Sequence, residues 1–338
     1  MRARSKFAVC AMGFLAVLAG GGAARCGEPL KITIGWTAVP IELTPIAFEN
    51  KAILKHYGKS YVTELEHFAG SGPLLTAFAT GDVDIGALSP PAFGNAIVTA
   101  GLKQLRIVAD TFQDGVDGHY STQFMVRKDG PIHTIEDLKG KIVAVNAFGG
   151  SADISMRAML LKHHMTFKRD YTAIEVQFPN MGAVLADGKV ELAATVPPFS
   201  YDVLDRGIGR PLFTSKDAIG PSQAVFLAMR ADVIARHRAA FVDFFEDYVR
   251  ALHWYLDPAN RQQALAIISR FTKRPAAFFS SWVFTNRDFY HDPNGLPNLQ
   301  TLQNNIKTDA ELGFLKADFD VKKFSDVSLV EEAAKRLK

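Results

Sequence analysis

The stretch AFATGDVDIGALSPP at 77–91 recurs as VLADGKVELAATVPP at 184–198. The two copies align without gaps at an offset of 107 residues. Six of fifteen positions are identical: Ala79/Ala186, Gly81/Gly188, Val83/Val190, Ala87/Ala194, Pro90/Pro197 and Pro91/Pro198. Most others exchange like for like, as Asp84/Glu191 and Ile85/Leu192 do. Each copy spells one local structure. A helix ends on a glycine that can take the left-handed C′ conformation. A short apolar run then makes a buried strand. A proline pair stops the strand and opens the next helix, where a first-turn proline loses little. Repetition of this unit at a fixed offset predicts two related lobes.

Outward from the repeat the chain alternates strand and helix. KITIGW (31–36) reads as a strand, and PIAFENKAILKHYG (45–58) has helical apolar spacing closed by Gly58. VTELEHF (62–68) alternates as a strand, a helix runs over 72–81, and QLRIVADTF (104–112) is another strand. The rhythm resumes with TQFMV, KIVAVNAF, a helix over 151–165 and strands near 173–178 and 190–196. From 232 onward the pattern is mostly helical, with RADVIARHRAAFVDFFEDYVRALHWYL as one long amphipathic helix. The implied fold class is α/β, with mainly parallel sheets flanked by helices on both faces.

Composition sets the frame for function. With 338 residues, 22% charged and 48% hydrophobic, the chain is neither disordered nor a disulfide-stapled miniature. Its length predicts two domains of ~150 residues. There are 38 basic and 35 acidic residues, and three of the basic ones, Arg2, Arg4 and Lys6, lie in the first 24 residues, which hold no acid. Without those three the charges balance, so no general field attracts a polyanion and nucleic acid is not expected as a partner. After the basic start comes an uncharged run, Phe7 to Ala24, ending in small residues. That order is a secretory signal over 1–24, with cleavage after Ala24 or after Cys26. The apolar core is short of the ~20 residues a membrane span needs. Cys10 and Cys26 are the only cysteines, so the mature chain has at most one thiol. A soluble periplasmic protein is expected.

In open parallel sheets ligands bind at the carboxyl ends of strands. The segments falling there are Trp36-Thr37, Gly70-Ser71-Gly72, Ser89-Pro90-Pro91, Phe148-Gly149-Gly150-Ser151 and Val196-Pro197-Pro198-Phe199. They carry hydroxyls and glycines with almost no charge, Asp153 being the nearest acid. At helix N-termini, free amides and the helix dipole favour an anionic group without Arg or Lys. Ser71 and Ser151 read equally as N-caps of their own helices. Trp36, Tyr120, Phe148 and Phe199 read as stacking surfaces for an apolar or unsaturated body, or as packing between lobes. His163-His164 point in different directions on a helix, and His291-Asp292 has no third ligand. HExxH, CxxC, GxGxxG, the P-loop pattern and GxSxG are all missing from the sequence. No metal, no cofactor and no catalytic residue is expected.

At GSGPLLTAFATGDVDIGALSPPAF (70–93), IEDLKGKIVAV (135–145) and, more loosely, VPPFSYDVL (196–204), the chain resembles the periplasmic solute-binding proteins of ABC importers, in the nitrate/sulfonate/taurine group. The resemblance implies a two-lobed type II periplasmic-binding fold with a double crossover hinge. Lobe one would comprise 28–121 plus 226–338, and lobe two 122–225. It implies a monomer that holds a small organic anion, sulfonate-like or carboxylate, and delivers it to an ABC permease with its ATPase. The matching positions give Trp36, Ser71, Gly72, Ser89, Gly150, Ser151 and Phe199 as ligand contacts, beside Thr37, Gly70, Tyr120 and Phe148. The same superfamily is similar to thiamine-pyrimidine synthases, whose cysteine-rich iron motif this chain lacks. An exported ligand-sensing domain would share the clamp architecture.

Overall fold

In the computed structural model, which describes residues 28–338, LKITIGW forms β1 (Leu30–Trp36) and fully buries its β-branched Ile32 and Ile34. β2 (Tyr61–His67) and β3 (Ile85–Leu88) flank it in parallel. β4 (Leu105–Asp114) is the last strand before the chain crosses to a second sheet. That sheet holds β5 (Gln123–Arg127), β6 (Ile142–Val145), β7 (Thr172–Glu175), β8 (Leu192–Thr195) and β9 (Gly209–Thr214). The chain then returns as β10 (Ser222–Arg230), which lies between β3 and β4 in the first sheet.

The strand orders are β2-β1-β3-β10-β4 and β7-β6-β8-β5-β9. They correspond place by place. The two copies of the repeat supply β3 and β8, each in the centre of its sheet. In both sheets one strand runs against the others: β10 pairs antiparallel with β3 and β4, as β5 does with β8 and β9. Those two strands adjoin the crossings at 115–122 and 215–221, so the direction reversal marks where the chain changes sheets. The sheets are therefore mixed, with the other strands of each sheet sharing one direction.

Helices cover the sheets: α1 (Thr44–Ala47), α2 (Ser71–Thr80), α3 (Pro90–Val98), α4 (Ser151–Lys162), α5 (Met181–Ala186), α6 (Phe199–Asp205) and α7 (Ser215–Ile219). After β10 come α8 (Ala231–Leu256), α9 (Arg261–Thr272), α10 (Ala277–Ser280), α11 (Leu299–Glu311) and α12 (Ser328–Arg336). Phe241, Phe244, Phe245 and Tyr248 of α8 join Ile32 and Ile34 in the largest core. A separate core of Phe124, Val143, Val145, Met156 and Leu160 holds the second sheet. Each such side chain contributes roughly 1.5–3 kcal/mol on burial.

Three local expectations are corrected. The helix expected over 45–58 is only the four-residue α1 and a short 3-10 turn, Lys51–Ile53. The backbone amides of Lys55, His56 and Tyr57 instead donate to the Asp247 carboxylate at 2.7, 2.9 and 3.1 Å, which holds that segment out of a helix. The long helix α8 is broken at His237 (φ −129°, ψ 27°). The proline pairs also differ: Pro90 and Pro91 begin α3, whereas Pro197 and Pro198 precede α6. Gly81 and Gly188 both take positive φ, 86° and 67°, as the repeat requires. The expected signal segment, Cys10 and Cys26 lie outside the described residues. Among the described residues no helix is long and apolar enough to cross a membrane.

Candidate functional site

The carboxyl ends of β1, β2 and β3 face those of β6 and β8 across a cavity of about 590 Å³ that opens to solvent. Six of the expected residues line it together: Thr37 after β1, Gly70 and Ser71 after β2, Ser89 after β3, and Gly150 and Ser151 at the start of α4. Gly70 is there because the two sides meet closely. A Cβ on it would lie 2.8 Å from the Cβ of Ala147 on the opposite wall.

Neither serine caps its own helix. The N-cap residues are Gly70 and Gly150, and neither helix has a side-chain cap. Ser71 Oγ accepts the Ser89 amide at 3.1 Å, tying the start of α2 to the start of α3. Ser151 Oγ donates to the Ala224 carbonyl at 2.7 Å, across to β10. The first-turn amides of α2 and α4 consequently have no side-chain acceptor from their own N-caps, and the dipoles of both helices are directed at the cavity. Ser89 is only 3% exposed, and its hydroxyl on the cavity wall has no hydrogen-bond partner. An unpaired buried hydroxyl costs about 1–3 kcal/mol, so an added partner would be favourable here.

Sequence reasoning missed two carboxyls on the wall. Glu42 is 1% exposed and accepts the Thr37 amide at 3.0 Å and the Thr37 hydroxyl. Burial pushes its pKa up to about 7, against the lowering effect of those bonds. A lone acid in the apolar run VPIELTPIAF (39–48) was the available signal. Asp114, also raised by burial, accepts from the Thr122 hydroxyl at 2.6 Å and from Ser121, and so fastens the first crossing between the sheets. Asp153, the acid singled out from sequence, is absent from the cavity wall. It accepts the Gly149 amide at 2.9 Å and Arg157 Nε at 2.7 Å, which shapes the loop before α4.

Trp36 and Phe199 lie one chamber further out. A second cavity, about 1010 Å³ with its open mouth, shares Thr37, Ala38 and Phe178 with the first and adds Trp36, Phe199, Phe271 and Arg274. Gly72, Tyr120 and Phe148 line neither cavity. Gly72 is exposed on the outer side of α2. Tyr120 is buried against Phe289 and gives its hydroxyl to the Thr195 carbonyl at 3.2 Å, so it joins the two sheets. Phe148 is 42% exposed and turns towards Arg157 and Phe167 instead.

Neither a lysine, an arginine nor a histidine lines the inner cavity among the described residues. His56, Asp243 and Glu246 gather within 4.8 Å elsewhere, as a metal site would. Arg336 holds Asp243 at 3.1 Å, while Lys55 and Arg250 hold Glu246 at 3.3 and 2.9 Å, so the cluster is an ion-pair network already balanced.

A family model described as the NMT1-like family matches residues 26–269, most of the chain. The chain belongs to the NMT1-like family. No curated protein matches this NMT1-like chain in sequence. Among solved structures it is similar to the alkanesulfonate-binding protein SsuA from Xanthomonas axonopodis pv. citri bound to MOPS. That match has 17% identity and a TM-score of 0.68, over 88% of this chain and 99% of that one. It is similar to the periplasmic nitrate-binding protein NrtA from Synechocystis PCC 6803 at 19% identity and TM-score 0.72, over 92% and 90%. The desulfurization enzyme DszB also matches, at 15% identity and TM-score 0.64, over 91% and 100%. At these identities the likeness establishes the fold: the NMT1-like chain has the architecture of periplasmic sulfonate- and nitrate-binding proteins.

Proposed function

We propose that this protein is a periplasmic solute-binding protein. In this reading it captures a small organic anion, a sulfonate or carboxylate, between two lobes and delivers it to an ABC permease and its ATPase. The observation that carries the reading is the unpartnered, buried Ser89 hydroxyl between the N-termini of α2 and α4. Each helix end stabilises a negative charge by about 0.3–1 kcal/mol, up to ~2 when partly buried. Converging ends and hydroxyls hold a small anion without a cation, and contact with both lobes at once favours the closed clamp. The division into 28–121 with 226–338 and 122–225, action as a monomer and export by residues 1–24 belong to the same proposal. Binding proteins for sulfonate and nitrate among the structural neighbours support it.

DszB keeps an enzyme reading in view. The inner wall favours binding, since among the described residues its Ser and Thr hydroxyls have no histidine, lysine or cysteine beside them on that wall to activate them. Native mass spectrometry of freshly purified protein, followed by titration with short sulfonates and carboxylates, tests the proposal. A co-purified acid, or saturable binding lost in Ser89→Ala, is expected. Turnover of the bound acid without any permease would overturn it in favour of an enzyme.

A further inference from the structure

The inner cavity accounts for an acid group but leaves the outer chamber without a role. The two chambers adjoin, with Thr37, Ala38 and Phe178 in the walls of both, and a molecule reaching past those residues would occupy both. Their walls differ in chemistry. Both carry rings, Phe112 and Phe289 in the inner one and Phe178 in each, but Ser71, Ser89 and Ser151 line only the inner one, and Trp36, Phe199 and Phe271 only the outer one. The outer rings come from three separate parts of the chain. Trp36 ends β1, Phe178 just precedes α5 while Phe199 opens α6, and Phe271 is in the last turn of α9. Trp36 is held edge-on by Phe271 at 5.9 Å and against His67 at 4.4 Å. The Arg274 guanidinium lies over Phe199 at 5.5 Å and Phe278 at 5.0 Å. A wall of rings rimmed by a cation suits a planar π-system, which gains from offset or edge-to-face contacts that an alkyl chain cannot make.

We infer that the physiological solute is an aryl acid, with its acid group in the inner chamber and its ring against Trp36 and Phe199 in the outer one. This rests on the anion reading above and narrows its ligand class. An inorganic anion or a one-carbon acid would fill the inner chamber alone and leave the outer rings wet. Trp36, Phe199 and Arg274 then determine specificity, while Ser89 and the helix ends determine binding of the acid.

Calorimetric titration of the purified full chain with methanesulfonate, benzenesulfonate, acetate and benzoate separates the two layers. Each aryl acid is expected to bind at least about tenfold tighter than its alkyl partner, because only the ring reaches the aromatic chamber. Trp36→Leu should reduce that ratio to about threefold or less, with the melting temperature of the ligand-free variant reporting that it is folded. Phe199→Leu should act in the same direction. Equal affinity for aryl and alkyl acids, or a ratio untouched by both variants, would overturn the aryl assignment and leave the anion reading standing. Binding of none of the four acids would overturn the anion reading and this assignment with it. The sulfonate and carboxylate arms decide which acid group the inner chamber prefers.

Discussion

The Ser151 hydroxyl donates to the Ala224 carbonyl at 2.7 Å, joining the first turn of α4 to β10 in the other sheet. It does so at the cavity wall, where both residues stand. The bond therefore exists only while the two sides are together. A net hydrogen bond contributes about 0.5–1.5 kcal/mol. Ser151→Ala is expected to weaken solute binding roughly three- to tenfold, as that energy converts, while the melting temperature of ligand-free protein barely moves. Titration calorimetry and differential scanning calorimetry on the same preparations check this. A matching loss of apo stability would assign Ser151 to the fold alone.

Glu42 should make solute binding depend on pH. Its carboxyl, raised by burial to about 7, shares the inner chamber with the guest. The other wall carboxyl, Asp114, is tied to Ser121 and Thr122, and no basic side chain faces either of them on that wall among the described residues. A bound anion favours protonated Glu42, so affinity should rise as pH falls through 7, by up to about tenfold between pH 8 and pH 6. Glu42→Gln should flatten the profile. A profile of opposite slope would mean that the guest presents a cation or a strong donor to Glu42.

Asp309 should make stability pH-dependent. It is 3% exposed, its Oδ2 has no partner, and it sits in a narrow crevice beside Pro90, Pro91, Ile154 and Asn305, none of them charged. Burial alone pushes its pKa up to about 7. An unfolded Asp titrates near ~3.9, so between roughly pH 4 and 7 the folded state binds more protons. Stability from this group falls as pH rises through that window, and the full penalty is present above 7. Asp309→Asn should raise stability at pH 8 by about 1–3 kcal/mol and change it little at pH 4, measured by denaturant titration at the two pH values.

Gly86, in the central strand β3, leaves room for a ring. A Cβ there would fall 2.7 Å from Phe78 Cε2 and 3.1 Å from Leu74 Cδ1, both on α2 and both buried. Gly86→Ala should destabilise the protein by about 1–3 kcal/mol through overpacking. A fall in the urea midpoint with an unchanged slope would confirm it. Wild-type stability would show that α2 can retreat from the sheet.

Much of this was legible in the chain before folding. The gapless repeat put β3 and β8 in matching places, because a helix stop, an apolar run and a proline pair act through neighbours in sequence. Thr37, Gly70, Ser71, Ser89, Gly150 and Ser151 were readable for a related reason: strand ends in such sheets converge on one edge. Tyr120 and Phe148 were not separable from Trp36 by type. A ring's role depends on which way it turns, and those two turn towards Phe289 and Arg157.

Local periodicity, the glycine stops and the charge balance were thus settled by the order of residues alone. Only tertiary structure decided that Asp247 would draw three amides out of a helix, that Glu42 would enter the cavity wall, and that a second, aromatic chamber would adjoin the first. The physical reason is one of range. Turn and strand preferences are set within a few bonds, whereas burial, an unpaired hydroxyl and a shifted carboxyl depend on which distant segments close over them.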